Sequence, residues 1–128
     1  MSSVVLDASV LLALLNGEPG SDKLTPELLH DAVSSTVNLA EVQGKLVDKG
    51  VPTDDAWEAT NSPLREAVPF SAEQAKLAGN LIVQTRSLGL SLGDRACLAL
   101  GLTLKAPVYT ADKSWKNLKL GIPIHRIR

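Results

Sequence analysis

Short β-branched runs alternate with helix-periodic segments along the whole chain, and this alternation narrows the fold more than any other feature. Val4-Val5-Leu6, Ala32 to Val37, Ala67-Val68-Pro69-Phe70, Pro107-Val108-Tyr109-Thr110 and Ile122-Pro123-Ile124 read as strands. Pro69 assigns the third to an edge or an end, because proline cannot donate to a ladder. Helical patterns fill the intervals. Val10 to Leu15 is closed by Asn16-Gly17 and Pro19-Gly20, and a second helix covers part of Asp22 to Asp31. Asn38 opens a third that reaches about Asp48 and stops at Gly50. Thr53 caps a fourth, with Asp54 and Asp55 in its first turn. Ser71 and Gln74 form a capping-box pattern, after which Ala75, Ala78, Ile82 and Thr85 continue one face as far as Gly89. Ser91 starts the helix that carries Cys97, Leu98 and Leu102. Strands separated by helices pair in parallel through right-handed crossovers, so the expected class is an α/β domain.

A chain of 128 residues has room for one such domain, residues 1–128, and can bury a core without disulfides. Only 3% of it is aromatic, so that core is built from Leu, Val, Ala and Ile. Cys97 is the lone cysteine, which excludes an internal disulfide and fits a reducing compartment. His30 and His125 lie far from it and from each other, which argues against a zinc site. The apolar runs are too short for a membrane span. Asp7 interrupts the first of them and no basic stretch precedes it, so a signal peptide is not expected. The expectation is a soluble, cytoplasmic protein. The net charge of −1 conceals an asymmetry: residues 1–85 hold five bases against twelve acids, and residues 86–128 hold eight bases against two acids. A basic half can attract a polyanion although the whole is near neutral.

Four acids occupy one kind of position. Asp7 ends the first strand, Glu41 lies in the first turn after Asn38, Asp94 in the first turn after Ser91, and Asp112 follows the Val108-Tyr109 strand. Each alone reads as a helix cap or a first-turn acid. Together they map to the edge of a parallel sheet where strands end and helices begin, the edge at which ligands bind. Carboxylates converging there repel one another unless a cation offsets the charge. A set of oxygen donors suits Mg²⁺ or Mn²⁺, and such a metal serves phosphate chemistry by polarising a phosphoryl oxygen and acidifying water. There is no Cys–His pair, no Gly-x-Ser-x-Gly elbow and no phosphate-cradling glycine loop. Hydrolysis by metal-activated water, with phosphate contacts from the basic half, is the chemistry these residues support best.

Val5-Leu6-Asp7-Ala8-Ser9, Asn38-Leu39-Ala40-Glu41-Val42, Gly93-Asp94-Arg95-Ala96-Cys97-Leu98-Ala99-Leu100 and Tyr109-Thr110-Ala111-Asp112-Lys113-Ser114-Trp115 resemble, in that order, the motifs of the PIN domain. The nearest group is the VapC-type ribonuclease toxins of prokaryotic toxin–antitoxin modules. The resemblance implies a three-layer α/β/α sandwich around a small, mainly parallel sheet. It also implies Mg²⁺- or Mn²⁺-dependent endoribonuclease activity, a cognate antitoxin that blocks the site, and toxin homodimers. On this resemblance Asp7, Glu41, Asp94 and Asp112 match the family's acids, with Asp7, Asp94 and Asp112 as metal ligands. Glu41 ligates the metal or orients the attacking water. Ser9 and Thr110 match the hydroxyl positions beside the metal, where a capping or turn role is the alternative. Some relatives carry a further acid shortly after the position of Asp112. Here the segment reads Lys113-Ser114-Trp115-Lys116-Asn117, which favours one resident metal.

Arg95, Lys113 and Lys116 are candidate phosphate contacts or plain surface charges. Trp115 is a candidate for stacking a base or for core packing, and Trp57 for packing or a partner contact. The competing reading is a catalytically inactive PIN-like interaction module. A receiver-like domain fits less well, because Asp7 comes too early and no lysine follows a late strand in the expected setting. An aspartyl-phosphate phosphatase wants a second Asp where Ser9 stands.

Overall fold

The computed structural model describes residues 2–128. Its five strands are β1 (Val4–Leu6), β2 (Ala32–Ser35), β3 (Glu66–Val68), β4 (Val108–Thr110) and β5 (Ile124–Arg126). They form one sheet in the order β3-β2-β1-β4-β5, and every neighbouring pair is parallel. The chain moves outward from β1 through β2 to β3, then returns to the other side of β1 for β4 and β5. Strand order therefore reverses between β1 and β4, where an open parallel sheet leaves a crevice beyond its carboxyl ends. Asp7 directly follows β1, and Asp112 lies two residues beyond β4.

The helices are α1 (Ala8–Asn16), α2 (Pro26–Leu29), α3 (Thr36–Asp48), α4 (Thr53–Asn61), α5 (Ala72–Asn80), α6 (Ile82–Thr85) and α7 (Leu92–Leu104). Successive strand residues point to opposite faces, and β1 shows the consequence. Val5 packs with Val33, Val108, Ala78 and Leu81, the α7 residues Cys97 to Leu100, and Trp115. Leu6 packs on the other face with Val10 and Leu11 of α1, Val42 and Leu46 of α3, and Ala56 of α4. A sheet buried on both faces by helices is the α/β/α sandwich that the sequence led us to expect.

Several boundaries differ from the sequence reading, each for a local reason. β2 stops at Ser35 rather than Val37, because the Ser35 hydroxyl accepts from Val37 N–H at 3.2 Å and starts α3 there. Asn38 is thus inside the helix and not its cap. Thr53 is the first residue of α4 and Pro52 occupies the cap position, with no side-chain cap bond. The segment 22–31 holds only a 3₁₀ turn at Ser21–Lys23 and the single turn of α2, which Thr25 caps and Pro26 begins. Ser71 caps α5 by accepting from Gln74 N–H at 3.1 Å. The buried face beyond it is Gln74, Ala78, Leu81 and Thr85, while Ala75 is exposed. That helix breaks near Leu81 and resumes as α6 before a 3₁₀ turn ending at Gly89. β3 ends before Pro69, at the sheet edge. β5 starts two residues later than read, at Ile124. Pro123 has no N–H to donate, but its carbonyl takes Val108 N–H at 2.9 Å and sets the register.

Trp115 is 1% exposed and packed in the α7 face of the core, so the packing role holds for it and its ring offers no face to a base. Trp57, by contrast, is 49% exposed on α4. Trp115→Ala should lower the unfolding free energy by about 3–5 kcal/mol, the cost of emptying a large aromatic site. Urea unfolding followed by circular dichroism checks this, and a loss below about 1 kcal/mol would contradict the packing described.

Candidate active site

Asp7 stands at the junction of β1 and α1. Its extended backbone makes it the N-cap of α1, and Oδ1 accepts from Val10 N–H at 3.1 Å. The side chain is 2% exposed. Two hydroxyls serve it: Ser9 Oγ donates to Oδ1, and Thr110 Oγ1 donates to Oδ2 at 2.8 Å. The direction of both bonds follows from the groups behind them. Ser9 Oγ accepts Ala111 N–H at 2.9 Å, and Thr110 Oγ1 accepts Asp112 N–H at 3.0 Å. A backbone N–H can only donate, so each hydroxyl has its own proton available for the carboxylate. The carboxyl end of β4 is thereby tied to Asp7 through Ser9 and Thr110.

Asp94 completes a capping box on α7. Ser91 Oγ accepts Asp94 N–H at 3.2 Å, and Asp94 Oδ2 accepts Ser91 N–H at 2.9 Å. Asp112 Oδ1 accepts from both Ser114 N–H at 2.8 Å and Ser114 Oγ at 2.7 Å. In each case these bonds use one carboxylate oxygen and leave the other without a protein hydrogen bond. Glu41 is held differently. Asn38 is 1% exposed, and its Nδ2 donates to Glu41 Oε1 at 2.9 Å and to the Gly93 carbonyl at 3.0 Å. A Cβ at Gly93 would collide with all three carboxyl atoms of Glu41. The absence of a side chain at Gly93 thus makes the seat in which the Glu41 carboxylate rests, and Asn38 joins the start of α3 to the start of α7.

All four acids line one cleft of about 310 Å³, together with Ala8, Ser9, Leu12, Glu18, Lys45 and Arg128. Burial is the main reason that Asp7 is raised from 3.8 to about 6. The bonds from Ser9, Thr110 and Val10 oppose that rise, and the charge of Asp94 adds to it. Buried Cys97 senses the same field. Its thiol is pushed well above the ordinary range, first by burial and then by the charges of Asp7, Asp94 and Glu41. Glu18 is lowered, first by the bond from Asn16, then by the bond and charge of Arg128 and the charge of Lys49.

The donor chemistry of the cleft is all oxygen, which fits a hard divalent cation. Among the described residues, however, no three Asp, Glu, His or Cys groups stand as a ready-made metal cage. The three bases proposed from sequence do not line the cleft. Arg95 donates from Nη1 to the Ala78 carbonyl at 3.0 Å, pinning α7 to α5. Lys113 is exposed in the 3₁₀ turn after Asp112. Lys116 lines a separate groove with Gln84, Ser87, Leu88, Asn117, Leu118 and Lys119. Residues that sequence reasoning passed over take their place. Lys45 follows Glu41 by four residues, a spacing that puts both on one helix face and could have been read. Gly93 opens the Gly93-Asp94-Arg95 motif, whereas Glu18 and Arg128 carried no local signal.

The family model for the PIN domain matches residues 4–120. The chain belongs to the PIN domain family. Among solved structures, a DNA-bound VapBC from Salmonella typhimurium superposes with a TM-score of 0.78 at 15% identity, covering 100% of each chain. VapBC2 from Rickettsia felis, bound to a promoter DNA fragment, gives 0.72 at 20% identity over 96% of this chain and 97% of that one. VapC20 from Mycobacterium tuberculosis, described as a sarcin-ricin loop cleaving toxin, gives 0.71 at 17% identity over 94% and 99%. No curated protein matches the chain. The five-stranded parallel sheet with its helices matches the PIN fold.

The raised Asp7 has a sign-definite consequence for the metal-free PIN domain. The unfolded chain loses this proton near pH 3.8 and the native state near 6, so stability falls as pH rises through that window. The penalty is complete above pH 6 and amounts to at most about 3 kcal/mol. Urea midpoints in EDTA at mildly acidic and at neutral pH should therefore diverge more for wild type than for Asp7→Asn. Equal pH dependence in the two proteins would refute this electrostatic description.

Proposed function

We propose that this chain is a metal-dependent endoribonuclease toxin that hydrolyses RNA phosphodiester bonds. In this reading residues 1–128 form one nuclease domain, working in the cytoplasm as a homodimer and neutralised by a cognate antitoxin. The observation that carries the reading is the convergence of Asp7, Glu41, Asp94 and Asp112, from four separate elements, on one cleft at the carboxyl edge of the sheet. The VapBC complexes and the RNA-cleaving VapC20 among its structural neighbours support it. Lone buried Cys97 suits a reducing compartment, and no helix of the described residues is long and apolar enough to cross a membrane.

Asp7, Asp94 and Asp112 would hold the cation, Mg²⁺ or Mn²⁺, with Ser9 and Thr110 fixing Asp7. Once bound, it supplies charge neutralisation at the phosphoryl group and acidification of water. The chain's own residues do the rest. Glu41 orients the attacking water and takes its proton at Oε2, since Oε1 is occupied by Asn38. The water oxygen bonds to phosphorus as one phosphorus–oxygen ester bond breaks, and the leaving oxygen takes a proton from solvent.

The alternative reading, an inactive PIN-like interaction module, draws on the absence of a ready-made three-acid cage among the described residues. Cleavage assays separate the two. Wild type should cut RNA with Mg²⁺ or Mn²⁺ and not in EDTA, and Asp7→Asn or Asp94→Asn should lose at least about 100-fold while staying folded. Ser9→Ala should lose about 10–100-fold, as expected of a group that orients a ligand. Gly93→Ala, which evicts the Glu41 carboxylate from its seat, should lower kcat more than it raises KM. Folded acid-to-amide variants that cleave like wild type would sink the site assignment.

A further inference from the structure

We propose that Lys45 and Arg128 form a phosphate-binding wall on the α1–α3 side of the cleft, where an RNA backbone phosphate flanking the scissile bond is seated, and that Glu18 is its built-in anionic competitor. This deepens the nuclease reading and rests on it. The cleft is lined by five carboxylates and two cations. An RNA strand approaching Asp7, Glu41, Asp94 and Asp112 meets repulsion that the cations lining the cleft relieve. Lys45, one turn beyond Glu41 on α3, has no carboxylate within ion-pair distance among the described residues. Its charge is therefore available to a ligand.

Arg128 is fixed as well as charged. Ile127 is buried, and its N–H donates to the Thr110 carbonyl at 2.9 Å. Gly20 lets the Ile127 carbonyl approach where a Cβ would clash. The Arg128 guanidinium then bonds the Pro19 carbonyl at 3.0 Å and Glu18 Oε1 at 3.2 Å. Both partners of that ion pair are about a third exposed, at 33% and 35%. Such a pair is weak in water, so a phosphate group can replace the Glu18 carboxylate on Arg128. Lys49 acts on Glu18 too, which adds a third cation near this wall. Of the other bases, Lys113 is exposed beyond Asp112 and does not line the cleft. Arg95 is committed to Ala78, and Lys116 lies in the separate groove.

The test is binding of a labelled single-stranded RNA library in EDTA, across a salt series, by fluorescence anisotropy. Cleavage of the same library with Mn²⁺ is followed in parallel. Lys45→Ala and Arg128→Ala should each weaken binding several-fold and flatten the log–log salt slope by about 0.7, the value for one single-strand phosphate contact. They should raise KM with little change in kcat. Glu18→Gln should bind RNA more tightly than wild type, and Arg128→Ala should remove most of that gain if Glu18 acts by competing for the guanidinium. Lys105→Ala, at the far end of α7, should match wild type. If wild type cleaves while both alanine variants keep its salt slope, or Glu18→Gln binds no more tightly, the wall is overturned and the nuclease reading stands. If wild type neither binds nor cleaves RNA, both fall.

Discussion

The structure turns on burying a carboxylate at the one place where the sheet reverses its order. Asp7 follows the central strand β1 and is 2% exposed, yet it caps α1 and accepts a hydrogen bond from each of two hydroxyls. Those hydroxyls are aligned by backbone N–H groups just beyond β4, so the acid and the β1–β4 pairing hold each other in place. Burial costs Asp7 its ordinary acidity, and the neighbouring charge of Asp94 adds to that cost. A fold that bears this expense at the centre of its binding edge is arranged for a cation or a proton at that point, which is the physical basis of the nuclease reading.

The other three acids are held by local devices that leave them oriented but less buried. Asp94 is fixed by a capping box, Asp112 by Ser114, and Glu41 by Asn38 over the bare backbone of Gly93. No three of the groups make a finished cage among the described residues, so assembly around a cation is part of the account. The cleft also holds two bases, Lys45 of α3 and Arg128, beside the carboxylates.

Much of this was legible in the sequence. A β-branched run ending in Asp, or a Ser-x-x-Asp box before an apolar helix, carries its own local physics, and Asp7 and Asp94 were readable on that ground. The parallel sheet followed from the spacing of strands and helices, and the family motifs supplied the three layers. What escaped were contacts made between distant segments. Arg95 adjoins Asp94 in sequence, but neighbours on a helix diverge by about 100° around its axis, and Arg95 faces α5 instead of the cleft. Arg128 reaches Glu18 across 110 residues, and Gly93 gains its meaning only when α3 lies beside it. Strand limits slipped where a side chain or a proline overrode the apolar pattern, as at Ser35 and Pro123.

The most direct test of the central claim is calorimetric titration of the metal-free protein with Mn²⁺ at neutral pH. The account predicts saturable binding near one ion per chain in wild type and its loss in folded Asp94→Asn. A folded wild-type protein that takes up no Mn²⁺ would contradict the claim that Asp7, Asp94 and Asp112 hold a cation.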